Sequence, residues 1–247
     1  MKYMLLAETS RLPVAQQGLD GGPRYIETDW DAVIREPWNG ATSLVFLLIV
    51  GYWFWRLRGQ YRRYLFVTLC MVPLTISSLG SAIYHAFRSH RFFLVMDWLP
   101  IAVLAVAAGI YLWVKLLPGR WRWLAAGIAP AVVGIQRVNF GLAESGAYPL
   151  HWAINGSYAL MATVIIVPLI GVLRQRNWAH FHLPALAVLV FAAALAFRAF
   201  DAELAWLLPM GSHFLWHLFA AGATALAVTY FYRLRRDELQ PQSGGEG

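Results

Sequence analysis

The chain has 247 residues, of which 59% are hydrophobic and 13% charged, with 12 Trp and a single Cys. A soluble domain carries about 25% charged residues, so this composition excludes one and points to a polytopic membrane protein. The lone Cys70 excludes an internal disulfide and a Cys-rich metal site. The net charge of +7 sits mainly at the ends of apolar runs, which is a topology signal and not a nucleic-acid one.

In chain order, the first apolar stretch, Tyr3–Ala7, is shorter than a signal-peptide core. Residues 1–37 are therefore read as a polar segment outside the bilayer. Seven apolar runs follow: Trp38–Trp55, Tyr64–Phe87, Phe92–Val114, Trp121–Ile135, Tyr148–Leu173, Trp178–Phe197 and Ala205–Tyr232. Runs of this length suit helices and not barrel strands. The expectation is an all-α membrane protein, a seven-transmembrane helix bundle over residues 38–233. A disordered cytoplasmic tail, residues 234–247, follows it.

Basic residues orient these spans. Arg56, Arg58, Arg62 and Arg63 follow the first span; Lys115, Arg120 and Arg122 follow the third. Arg174 and Arg176 follow the fifth, and Arg233, Arg235 and Arg236 follow the seventh. The opposite side holds Arg88, Arg91, Arg137 and Arg198. The richer side is cytoplasmic, which puts the N-terminus outside and the C-terminus inside.

Several polar groups lie within the apolar runs, where ionisable side chains mark function by default. With 1.5 Å of rise per residue, Ser81 lies roughly 9 Å and Asp97 roughly 8 Å below the outer ends of their spans. Counted from Ala205, His213 and His217 lie about 12 and 18 Å deep. Ser81 and His85 are four residues apart, as are His213 and His217, so each pair shares a helix face. Two imidazoles one turn apart can hold one ion. A third from a facing helix gives three ligands and an open position, the pattern of a catalytic zinc site.

Taken together, "SAIYH" (Ser81–His85), "MDWLP" (Asp97) and "HFLWH" (His213–His217) resemble the motifs of the CREST superfamily of seven-span hydrolases. That group includes the alkaline ceramidases and the adiponectin-receptor-like proteins. "EPWNGATSLVFL", Glu36–Leu47, is similar to the approach to the first span in bacterial ceramidase-family proteins, and the N-out orientation agrees with that branch. The resemblance runs from about residue 27 to residue 232. It implies Zn²⁺ held by His85, His213 and His217. Asp97 would orient a water and take its proton, and Ser81 would donate a hydrogen bond during catalysis.

The implied reaction is hydrolysis of a ceramide-like lipid amide to a long-chain base and a fatty acid. The implied location is a bacterial inner membrane, with the active site toward the outer face. No G-x-S-x-G nucleophile motif occurs, which fits direct attack by water.

The acidic run that ceramidases often carry before the first span is not reproduced. Glu27, Asp29, Asp31 and Glu36 nevertheless set four acids within ten residues and are candidate Ca²⁺ ligands. Arg198 and Asp201, three residues apart, are expected to pair as ions.

Other seven-span functions fit less well. A retinal protein needs a lysine in the last span, and the only lysines are Lys2 and Lys115. His213 and His217 share a face and cannot ligate a haem from opposite sides. A transporter fits less well, since no internal repeat appears and the charges cluster at one level. The alternative that remains is a receptor or binding protein of the adiponectin-receptor-like kind, with a structural metal. Oligomeric state and the identity of the amide are open at this stage.

Overall fold

The computed structural model describes residues 22–240. Among the described residues the chain is helical, with no strand. The helices are α1 (Pro37–Ser43), α2 (Val45–Arg56), α3 (Leu65–Phe87), α4 (Arg91–Leu116), α5 (Ile128–Glu144), α6 (Leu150–Gln175), α7 (His182–Ala199) and α8 (His213–Leu239). A 3-10 helix, Gly119–Gly127, precedes α5. Six of these segments are long and apolar enough to cross a membrane, with α1 and α2 counted as one stretch, Pro37–Arg56. Leu48, Trp55, Val103, Trp152 and Leu189 are exposed, as expected of side chains that face lipid and not water.

The expected span at Trp121–Ile135 differs most from what forms. Its first part, rich in Arg and Trp, is 3-10 helix, and the α-helix begins only at Ile128. Pro130 explains part of the shift. It is the third residue of α5, where the N–H it lacks would have no intrahelical partner. At 17 residues, α5 is not among the six membrane-length helices.

The last helix also starts later than expected. Residues 201–207 are turns, Pro209 follows, and Gly211 takes a positive φ of 73°, so α8 begins at His213 and not at Ala205. His213 and His217 therefore sit in its first turns. At its other end α8 continues to Leu239, past the expected start of a disordered tail at residue 234. α7 starts at His182, four residues after the expected Trp178, because Asn177, Trp178 and His180 all adopt positive φ.

The described residues fall into two compact units. One holds residues 22–101 and 180–240, that is α1–α3, the first part of α4, α7 and α8. Within it α7 packs along α8, and α1 and α2 pack on α3 and α8. The α3–α4 approach depends on Gly80. A Cβ there would collide with Met96 Cβ and lie 2.8 Å from the Met96 carbonyl carbon. The other unit holds residues 102–179, where α5 packs on α6 and on the 3-10 helix. Asn139 on α5 donates to the Ala153 carbonyl on α6 at 2.7 Å, and Tyr148 Oη donates to Asn139 Oδ1 at 2.6 Å.

Candidate functional site

His85, near the end of α3, and His213 and His217, at the start of α8, lie together in the first unit. All three are buried. Their ring centroids are 4.9–5.3 Å apart, and one nitrogen of each lies within 4.8 Å of the others. Among the described residues they are the only set of three His, Cys, Asp or Glu side chains that converges so. The spacing of His213 and His217 supplies one half of the set, and the contact of α3 with α8 supplies the other.

The stretch from Tyr25 to Ser43 orients each imidazole by a different device. His85 Nδ1 lies 2.5 Å from Glu36 Oε2. A carboxylate only accepts, so Nδ1 carries a proton, and in the neutral imidazole Nε2 is the nitrogen left with a lone pair. His217 Nδ1 lies 3.1 Å from Thr42 Oγ1 and 3.3 Å from Ser43 Oγ. Thr42 donates its own proton to the Trp38 carbonyl at 2.7 Å, so it accepts from His217. Nε2 of His217 is again left as a lone pair. His213 differs: its Nδ1 is buried without a hydrogen-bond partner, and its ring stacks on Tyr25 with centroids 3.7 Å apart.

This donor set fits a borderline metal ion such as zinc. Imidazole nitrogens are common zinc ligands, and two of the three rings have their second nitrogen tied to an oxygen acceptor, which fixes tautomer and plane. A buried ring nitrogen without a partner is costly in a protein interior, and His213 supplies one.

Ser81 lies one turn before His85 and is buried. Its Oγ is 2.9 Å from Ser43 Oγ, in the same polar group as His217. Asp97, on the first part of α4, has its carboxylate within the influence of the Ser81 hydroxyl, of His85 and of Arg198. Ser77 also donates to the Asp97 carbonyl, which ties the two helices at this level. The structure thus brings Ser81, His85, Asp97, His213 and His217 to one region.

The four acids of the N-terminal segment are not brought to one point. Asp29 and Asp31 are exposed, and Asp31 N–H donates to Asp29 Oδ1 at 3.0 Å. Glu27 accepts the backbone N–H groups of Trp38 and Asn39 (2.9 Å for Asn39) and so caps α1 from a distance. Partial burial pushes the Glu27 carboxyl up, against the pull of those two N–H groups. Glu36 is fully buried. Burial would raise its carboxyl too, but His85, Arg88 and Thr28 outweigh this and hold it below the usual range.

Residues that sequence reasoning missed complete the surroundings. Asp201, expected only to pair with Arg198, accepts the N–H groups of Ser212 at 2.6 Å and His213 at 2.9 Å. It thereby caps α8, whose own N-cap Ser212 makes no side-chain capping bond. It also accepts from Ile26 N–H at 3.0 Å, next to the Tyr25 that stacks on His213. Arg198 lies over the Trp216 ring, 5.3 Å from its centroid. Gly211 makes room for Asp201, since a Cβ there would collide with Asp201 Oδ1.

Compared with known proteins, the chain matches no protein-family model and no curated protein.

Proposed function

We propose that this chain is an intramembrane, zinc-dependent hydrolase that cleaves a ceramide-like lipid amide to a long-chain base and a fatty acid. The observation that carries the reading is the buried trio His85, His213 and His217, two of whose rings are already held with Nε2 as the open lone pair. Zinc bound there would supply a Lewis acid and lower the pKa of a water toward neutrality.

The chain's own residues have separate roles. His85, His213 and His217 hold the ion. Asp97 accepts the proton of the attacking water and passes it to the departing amine. Ser81 donates a hydrogen bond, keeping its proton, to the carbonyl oxygen as negative charge develops there. Water attacks the amide carbon, the C–N bond breaks, and the proton lost by water ends on the amine.

The membrane arrangement belongs to the same proposal. Six helices are of membrane length, and α5 is proposed as the seventh crossing. Its 17 residues rise about 26 Å, close to the thickness of the hydrocarbon core. The arginine distribution supports an outer N-terminus and a cytoplasmic C-terminus; a bacterial inner membrane is what the resemblance of the motifs implies. The site then lies toward the outer face of the membrane.

The deciding experiment is metal analysis of purified protein, followed by mass-spectrometric screening of lipid amides on the same sample. Stoichiometric zinc with turnover supports the reading. Zinc without turnover on any lipid amide favours the receptor-like alternative, in which the metal is structural.

A further inference from the structure

The carboxylates before α1 suggest a divalent cation, but their geometry does not fit one. A carboxylate offers about four lone-pair sites, and Glu36 uses all of them. Oε1 accepts from Thr28 Oγ1 at 2.6 Å and from Arg88 Nη1. Oε2 accepts from His85 Nδ1 at 2.5 Å and from Asn39 Nδ2 at 3.2 Å. Glu27 spends both oxygens on the first turn of α1, and Asp29 and Asp31 stand apart in solvent.

What the segment encloses is a guanidinium. Arg88 is fully buried, the largest such side chain among the described residues. Besides Glu36, it donates from Nη2 to the Pro23 carbonyl at 2.9 Å. Its Cζ lies 4.8 Å from the Tyr84 ring centroid, 5.3 Å from Trp30 and 6.0 Å from Tyr25. A carboxylate, a carbonyl oxygen and three aromatic rings are what a bound cation would recruit.

The backbone supports the same view. Arg88 is the C-cap of α3 and sits at φ 45°, ψ 39°, in the left-handed region where glycine is the usual residue. An arginine there accepts a conformation unfavourable to an L side chain. The exchange is intelligible when the side chain is needed, because this turn sends the guanidinium inward to Glu36. Arg35 also donates to the Arg88 carbonyl, at 3.1 Å, and fixes the turn.

We infer that Arg88 is the built-in cation of this site: its guanidinium takes the place of a Ca²⁺ ion, holds the N-terminal segment on α3, and positions Glu36 to orient His85. The chain then needs no calcium. Arg88 is a positioning residue, acting on His85 through Glu36. The part of this inference that concerns zinc affinity rests on the function proposed above; the part that concerns the segment does not.

The test uses the full-length protein in detergent. Melting temperature, zinc affinity by chelator competition and the visible spectrum of the Co²⁺-substituted protein are measured with Ca²⁺ and with a calcium chelator. Wild type is expected to be indifferent to calcium in all three. Arg88→Ala is expected to melt lower and to bind zinc about 10–100-fold more weakly, the loss typical of an outer-shell partner. Millimolar guanidinium chloride should restore both properties, whereas urea, of similar shape but uncharged, should not.

A calcium-dependent rise in the wild-type melting temperature would overturn the assignment. So would wild-type zinc affinity in Arg88→Ala, or equal responses to guanidinium and urea. Should Arg88→Ala fail to fold, Arg88→Lys decides: retention of the wild-type cobalt spectrum supports the assignment, and its loss overturns it. A wild-type chain that binds neither Zn²⁺ nor Co²⁺ refutes the metal reading alone. The calcium and guanidinium melting arms need no zinc or cobalt and still decide the role of Arg88.

Discussion

Tyr25 lies nearly flat on His213, with ring centroids 3.7 Å apart and planes inclined by 23°. This contact brings the N-terminal segment onto the first residue of α8. It matters because His213 has no hydrogen-bond partner at Nδ1, so its ring plane is set by the stack and by the capped backbone beneath it. A stacked aromatic pair contributes about 0.5–1.5 kcal/mol beyond its buried area. Tyr25→Ala is therefore expected to weaken zinc binding by roughly 2–10-fold, while Tyr25→Phe keeps the stack and the affinity. Chelator competition on the two purified variants checks this, and equal affinities would assign the stack no role.

Zinc content is the simplest prediction. Purified protein is expected to hold about one zinc per chain, because the three buried imidazoles supply three ligands. His217→Ala and His213→Ala should each lose most of it. Elemental analysis reads the result, and full zinc retention in both variants would remove the site as described.

The sequence carried the three imidazoles well and their supports poorly, for a physical reason. Helical periodicity and depth are local, so His213–His217 and Ser81–His85 could be paired from spacing alone. The groups that orient them come from far along the chain. Thr42 meets His217, and Asp201 caps α8 through contacts with no sequence spacing to betray them. In the sequence Arg88 is only one of the basic residues on the outer side. Its positive φ and burial become visible once Glu36 is placed beside it. The expected spans also began too early at three helices: at Ala205, where apolar composition continues while the backbone turns, at Trp121, where a 3-10 helix precedes the α-helix, and at Trp178, where positive φ values delay it.

Gly80 offers a test of how Asp97 reaches the site. It neighbours Ser81, as Met96 neighbours Asp97, and a Cβ at residue 80 would lie 2.8 Å from the Met96 carbonyl carbon. Gly80→Ala must therefore push α4 away from α3 at this level. Zinc content should be largely preserved, because none of its ligands is on α4, while turnover falls at least about 10-fold through misplacement of Asp97. Joint measurement of zinc and turnover checks it; unchanged turnover would show that the α3–α4 distance does not matter to the chemistry.

Topology follows from the arginines. A reporter fused after Asp237 is expected to read cytoplasmic, and one inserted near Asp20 to read external. The opposite outcome would move the imidazole trio to the inner face and favour the receptor-like branch of the family that the motifs resemble.

Asp97→Asn separates metal binding from proton transfer. In the proposed reaction Asp97 takes a proton from water, while the imidazoles alone hold the ion. Asparagine keeps the shape and part of the hydrogen bonding but cannot accept a proton at neutral pH. Zinc content and the cobalt spectrum should survive, and hydrolysis should fall by roughly 10²–10⁴-fold, the range of general acid–base catalysis. Ser81→Ala should also keep zinc, with a loss of about 10²–10³-fold if its hydroxyl stabilises the oxyanion. Because Ser81 lies beside both Ser43 and Asp97, the two losses should not add in the double variant: removing either partner already disturbs the group that the other orients. A double variant as slow as the product of the two single losses would mean that the residues act independently. An Asp97→Asn protein that folds, holds zinc and turns over at the wild-type rate would take Asp97 out of the mechanism and leave its place beside Ser81 a matter of helix packing.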